Sequence, residues 1–202
     1  MFIALLDTSV LWPSLQRDFL LSLAFEQIYR PIWSSAILDE LEYHEARKLQ
    51  NRYGLPSRLA EERAARLVGR MRSAFVDAEI AGWEPLEGTY GLPDPDDEHV
   101  VAAAQIAGAG VIVTSNLKDF PVARLPNGIS AVPPHQFALD AVNISPERAL
   151  VALTEIATRS GNSGPALSRQ EVIQRLEARY GMSEAMLLVR QELAIGEPHS
   201  HT

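Results

Sequence analysis

No cysteine occurs anywhere in the 202-residue sequence. Disulfides and thiolate metal sites are thereby excluded, a composition in keeping with a cytoplasmic protein. No apolar run approaches the roughly 18–20 residues that cross a bilayer, so no membrane association is expected. No secretory leader is expected either, because Met1 passes straight into FIALLD without a basic region and the apolar stretch is short. A glycine-rich phosphate loop and a G-x-S-x-G elbow are both missing, which argues against P-loop nucleotide hydrolysis and serine acyl transfer. The five histidines (His44, His99, His135, His199 and His201) show no zinc-binding spacing. Positive charge is scarce as well: the formal net charge is −8, whereas nucleic-acid binders are typically basic. Its distribution qualifies that sum. Residues 45–72 hold eight basic side chains (Arg47, Lys48, Arg52, Arg58, Arg63, Arg66, Arg70 and Arg72) against three acidic ones (Glu45, Glu61 and Glu62), a net +5 that leaves −13 for the rest. Such a segment can hold a phosphate backbone, or be no more than a solvated helix face.

What is present is a globular balance, 47% hydrophobic and 22% charged, in a chain long enough for one domain and a small appendage. Residues 2–6 (FIALL) are apolar without alternation, the mark of a strand buried on both faces. Helical spacing follows over 15–27, then a short strand YRPIWS, then a helix through AILDELEYHEARKL that Ser34 or Ser35 can cap. Gly54 and Pro56 break the chain before a second helical stretch at 57–75. AEIAGW at 78–83 reads as a strand and 84–97 as a loop ending in DPDDE. The alanine-rich HVVAAAQIAGAG is a buried helix, VIVTSN a β-branched strand, LKDF a turn and ISAVPP a last short strand. Alternation of this kind predicts an α/β fold with a central, mainly parallel sheet and helices on both faces. Beyond about residue 142 the pattern becomes helical: Ser145 precedes Pro146, Ser168-Arg169-Gln170-Glu171 has the form of a capping box, and Ser183 precedes EAMLLVRQEL. The expected division is a domain over 1–142 and a helical extension over 143–202, with a flexible linker at SGNSGP and a flexible tail at EPHSHT.

The residues that can carry chemistry are acidic. Asp7 ends the first strand, Glu40 lies on the following long helix, Asp94, Asp96 and Asp97 precede the alanine-rich helix, and Asn116 and Asp119 follow the third long strand. In open α/β sheets, sites form at the carboxyl ends of strands, and this topology brings all four groups to one edge. Carboxylates gathered without basic partners repel one another, and a bound cation relieves the repulsion; oxygen ligands favour Mg²⁺ or Mn²⁺. Each residue also has an ordinary reading. Asp7, Asp96 and Asp97 can be helix caps, Glu40 one of several surface acids beside Asp39, Glu42 and Glu45, and Asp119 a turn residue.

Four stretches taken together, LLDTSVL at 5–11, WSSAILDELE at 33–42, DPDDEHVVAAA at 94–104 and VIVTSNLKDF at 111–120, resemble the PIN domain, and more narrowly the VapC-type toxins of bacterial toxin–antitoxin pairs. Each motif is short; their order and spacing carry the resemblance, which spans about residues 2–140. It implies a three-layer α/β/α fold and a metal-dependent ribonuclease with three or four acids around one or two Mg²⁺ or Mn²⁺ ions. Asp7 matches the first acid and Glu40 the second. Asp97 best matches the third, with Asp94 and Asp96 as competitors. At the fourth position this chain has Asn116 where many members have aspartate, and Asp119 can supply the carboxylate instead. The resemblance further implies a cognate antitoxin that covers the acidic groove. A homodimer is the expected assembly. The catalytic and metal-binding set is therefore Asp7, Glu40, Asp97, Asp119 and Asn116. Thr8, Ser9 and Thr114 are placed to fix the acids or meet phosphate, and Arg47, Lys48 and Arg52 to bind RNA. The rival readings are a non-catalytic PIN-like RNA-binding protein, which Asn116 favours, a Rossmann-like binder lacking its glycine fingerprint, and a helical DNA-binding regulator.

Overall fold

A computed structural model describes residues 1–161 and 165–196. The tail EPHSHT lies outside the described residues, as do residues 162–164 of the expected SGNSGP linker. In chain order the first elements are β1 (Phe2–Leu6), α1 (Thr8–Leu11), α2 (Ser14–Phe25), β2 (Tyr29–Ser34), α3 (Ser35–Tyr53) and α4 (Ser57–Ala74). Next come β3 (Glu79–Ile80), α5 (Glu98–Ile106), β4 (Val111–Val113) and β5 (Ser130–Val132). Four helices complete the order: α6 (Pro134–Ile144), α7 (Pro146–Arg159), α8 (Arg169–Tyr180) and α9 (Ser183–Gly196).

The chain divides into two compact units, one of residues 2–13 and 30–133, the other of residues 14–29 and 134–202 with Met1. The five strands form one sheet in the order β3-β2-β1-β4-β5, and all of them run parallel. The expected α/β class is the one observed. Ala4 faces Val111 and Leu6 faces Val113 in one ladder, and Val113 faces Val132 in the next. β1 lies at the centre, which is why FIALL needs no polar alternation: Ala4, Leu5 and Leu6 are wholly buried. Chain direction across the sheet changes at β1, since β2 lies on one side of it and β4 on the other. The carboxyl ends of β1 and β4 therefore meet at a topological switch point, the place where open α/β sheets put their sites.

Around the sheet, α3 and α4 form an antiparallel hairpin. Ser34 caps α3 by accepting from Ile37 N at 3.1 Å, and Gly54 closes it in the left-handed conformation at φ 66, where a side chain would be strained. The stretch AEIAGW yields only the two-residue β3, because Gly82 turns the chain at φ 77. LKDF forms a 3₁₀ turn at Leu117–Asp119. α5 is buried from Glu98 to Ala104, with Val100, Val101, Ala102, Ala103 and Ala104 at zero exposure, and small residues let it sit close to its neighbours.

In the second unit α2 packs on α6, α7 and α8, and α9 packs on α6, α7 and α8. Arg159 Nη2 pairs with Asp18 Oδ1 at 2.7 Å, and the Tyr29 and Phe137 rings meet edge to face at 4.8 Å. Residue 142, where the sequence pattern changes, falls inside α6, a helix that the spacing does not predict. It opens on Pro134 in its first turn, where the missing N–H costs nothing. The predicted starts at 145 and 168 are present. Ser145 Oγ accepts from Arg148 N, and Ser168 and Glu171 form both bonds of a capping box.

Candidate metal centre

Asp7 is positioned by β1 and by the turn of α1 that follows it. Its backbone N–H bonds Val113 O at 3.1 Å, so the residue is locked to the end of β4. Its carboxylate does not cap α1. Instead Oδ2 accepts from Ser9 Oγ at 2.6 Å and from Thr114 Oγ1 at 2.8 Å. Those hydroxyls are held in turn: Ser115 N donates to Ser9 Oγ at 3.0 Å, and Asn116 N donates to Thr114 Oγ1 at 3.0 Å. Thr8 Oγ1 donates to Ile37 O at 3.3 Å, which ties α1 to the start of α3. Asp7 is only 6% exposed. Burial pushes its carboxyl above the ordinary aspartate range, Glu40 pushes the same way, and the two hydroxyl bonds act against them.

A cavity of about 370 Å³ opens over this carboxylate. Asp7, Thr8, Ser9, Trp12, Glu40, His44, Asp97 and Asn116 line it. Glu40 comes from the first half of α3, half exposed, with its Oε1 3.3 Å from His44 Nε2 one turn on. Asp97 stands at the start of α5 without a side-chain capping bond. Its carboxyl is pushed up to about 7, first by desolvation and then by the negative charges of Asp7, Asp94, Asp119 and Glu40. Asn116 is held from behind: its Nδ2 donates to Asp119 Oδ2, and Lys118 Nζ lies 3.9 Å from that same oxygen.

The structure thus brings Asp7, Glu40, Asp97 and Asn116 to one cavity, with Thr8 and Ser9 beside them. Asp119 is buried and acts on the cavity through its bond to Asn116 and its charge on Asp97. Asp94 caps the 3₁₀ turn Pro95–Asp97 by accepting from Asp96 N at 3.0 Å, and Asp94 and Asp96 are both exposed. Of the basic residues, Lys48 pairs with Glu45 and lies 5.7 Å from the Trp12 ring at the cavity. Arg47 donates to Tyr43 Oη at 2.9 Å and lines a separate crevice between α3 and α4. Arg52 lies over the Tyr53 ring.

Three contributors escape the sequence reading. His44 could have been found, because it stands one helical turn from Glu40. Glu98 could not: its buried carboxylate accepts from the backbone N–H groups of Tyr90, Gly91 and Leu92 at 3.1, 2.6 and 3.1 Å, partners with no side-chain signature. Burial raises the Glu98 carboxyl, but these bonds outweigh it and hold it below the ordinary range. The Ser34–His99 bond at 3.1 Å joins the first turn of α3 to α5, and so joins the elements carrying Glu40 and Asp97.

Among the described residues no three Asp, Glu or His side chains stand ready as a ligand cluster. Asp7 Oδ2 and the Asn116 amide are engaged with protein partners. In donor type and charge the cavity nevertheless fits an oxygen-coordinated divalent cation. It offers carboxylate and amide oxygens, and its acids raise one another's proton affinity, a repulsion that a cation removes.

Comparison with known proteins gives one finding. The family model for the PIN domain matches residues 4–118. No match is found among curated proteins or among solved structures. PIN domains are generally nucleases that use divalent metal ions. The matched span covers more than half of the chain and contains every residue lining the cavity, so the chain belongs to the PIN-domain family.

Proposed function

We propose that the protein is a metal-dependent endoribonuclease, with Asp7, Glu40, Asp97 and Asn116 holding Mg²⁺ or Mn²⁺ and Asp119 fixing Asn116. The observation that carries this reading is the convergence of these four oxygen donors, from four separate elements, on one cavity at the sheet's switch point. A bound divalent cation would supply charge stabilisation at the scissile phosphoryl oxygens. The residues do the rest. Ser9 and Thr114 hold the Asp7 carboxylate in one orientation. Asp97, ionised once the cation is bound, orients the attacking water. Arg63, Arg66 and Arg70 have no ion-pair partner among the described residues and lie exposed on α4. They are the cations of the 45–72 segment that meet the RNA backbone at a distance from the cut.

The test is cleavage of single-stranded RNA by the purified chain. Mn²⁺ or Mg²⁺ is expected to be required, and Asp7→Asn to abolish turnover while leaving the circular dichroism unchanged. Equal cleavage in excess EDTA, or full activity in Asp7→Asn, would overturn the reading. Asn116 lends weight to a second reading, a non-catalytic RNA-binding PIN-like protein. Metal-dependent binding without any cleavage would establish it.

The motif resemblance supports a narrower proposal, that the nuclease is the toxin of a toxin–antitoxin pair. An antitoxin arginine laid among the acids of the cavity would neutralise the site that the cation needs. Expression in a bacterial host is then expected to arrest growth, and the Asp7→Asn chain to leave growth normal. Unimpaired growth with active enzyme present sinks the toxin role and leaves the nuclease standing.

A further inference from the structure

Trp12 is out of place in the metal centre on ordinary grounds. The chain has three tryptophans, of which Trp33 and Trp83 are buried. Trp12 is 42% exposed and lines the acidic cavity. Every other side chain there is charged or polar: Asp7, Thr8, Ser9, Glu40, His44, Asp97 and Asn116. An indole adds no metal ligand and no charge for a phosphate. It adds an apolar face of nucleobase size beside the place where a phosphate would be cut. Its backbone is fixed as the cap of α1, with its N–H on Thr8 O at 2.9 Å. On α3, Glu40, His44 and Lys48 follow one another at single-turn spacing, so one stripe leads from the acids to the ring. Lys48 Nζ lies 5.7 Å from the ring centroid, near the outer limit of a cation–π contact, and has its own partner in Glu45.

We propose that the Trp12 indole is a stacking platform for one unpaired nucleobase, next to the phosphate that enters the acidic cavity. The inference rests on the nuclease reading and narrows its substrate to RNA that is single-stranded at the cut, because a paired base offers no free face. It makes Trp12 a binding and selectivity residue, one that takes no part in proton transfer.

The test uses the full chain carrying Asp7→Asn, so that turnover is blocked, in the presence of Mg²⁺. Two end-labelled probes are compared by anisotropy: a single-stranded hexaribonucleotide and the matching abasic ribose-phosphate hexamer. Trp12→Ala is expected to weaken binding of the first about tenfold, as loss of one base–aromatic stack does, and Trp12→Phe to keep most of it. Neither substitution should alter binding of the abasic probe. Intrinsic tryptophan fluorescence should be quenched by the base-bearing probe alone, and Trp12→Phe should remove the quenching. In the active protein, Trp12→Ala should raise KM about tenfold with kcat little changed. Equal weakening of both probes would overturn the proposal and give the ring a structural role. Unchanged RNA binding in Trp12→Ala would also overturn it, leaving the indole as a protein contact. A chain that quenches with the base-bearing probe but cleaves no RNA would end the nuclease reading and leave the stacking in place. One that cleaves normally with Trp12→Ala would do the reverse.

Discussion

Asp97 shows what gathering several acids around one cavity costs the folded chain. Its carboxyl titrates near 7 because it is partly desolvated among Asp7, Asp94, Asp119 and Glu40. In the unfolded chain an aspartate titrates near 3.9. Between those values the folded state holds the extra proton. The metal-free protein therefore loses stability as pH rises through about 4 to 7, and stays at its lowest contribution above that range. Asp97→Asn removes the group. Half-exposure screens the repulsion, so the gain should be modest. In EDTA at pH 8 the variant is expected to melt a few degrees higher than the parent, the scale of about 1 kcal/mol for a chain of this size. Near pH 4, where the parent is already protonated, the two melting temperatures should converge. A gap that persists at pH 4 would assign the effect to something other than Asp97's charge. The same proton must leave when a cation binds, so divalent affinity should fall as pH drops below about 7.

At the scale of elements, the loop before α5 is held by one side chain. Glu98 takes the backbone N–H groups of Tyr90, Gly91 and Leu92 and so pins the segment that ends in Asp94, Asp96 and Asp97. Glu98→Ala leaves those donors buried or forces the loop to open to water. An unsatisfied buried donor costs about 1–3 kcal/mol, and water can repair some of them. A loss of about 2–4 kcal/mol in urea denaturation is expected. Glu98→Gln, which keeps one acceptor oxygen, should lose less. An unchanged midpoint in Glu98→Ala would remove the clamp. This element also marks how far the sequence could be read. β1, α5 and β4 declare themselves by continuous apolar runs, and the carboxylates that end or begin them are visible for that reason. What each carboxylate bonds to is not. The reach from Thr114 to Asp7 spans 107 positions and the one from Ser115 N to Ser9 spans 106, and no local pattern encodes either. α1 and α6 are hidden for simpler reasons. α1 is four residues, too short for a period, and α6 starts on a proline pair that reads as a break. That α2 packs with α6, α7 and α8 is equally silent in the sequence, because its apolar spacing says only that one face is covered.

For the whole molecule the proposed RNA binding raises the question of how a chain of net charge −8 would hold a polyanion. Its cations are not spent evenly. Within 45–72, Lys48, Arg58 and Arg72 are paired with Glu45, Glu62 and Glu79, while Arg47 and Arg52 on α3, and Arg63, Arg66 and Arg70 on α4, have no ion pair among the described residues. The three on α4 recur at spacings of three and four along it, on the side away from its buried Ala60, Ala64, Val68 and Met71. Single-stranded binding loses about 0.7 in the slope of log affinity against log salt for each phosphate neutralised. Replacing all three by alanine should therefore flatten that slope by about 2, weaken binding at low salt and leave kcat near the parent value. A slope that stays unchanged would move the backbone contact elsewhere.

The bond from Thr114 to Asp7 also sets a time. During synthesis the first carboxylate emerges early, but the strand that fixes it, β4, ends at Val113, past the middle of the chain. The sheet has no neighbour for β1 on that side until then. Glu40 and Asp97 stand on elements made in the interval, and Asn116 arrives last. A nascent chain shorter than this holds separate acids and no centre, so the cavity that gathers them can assemble only once more than half of the sequence has been made.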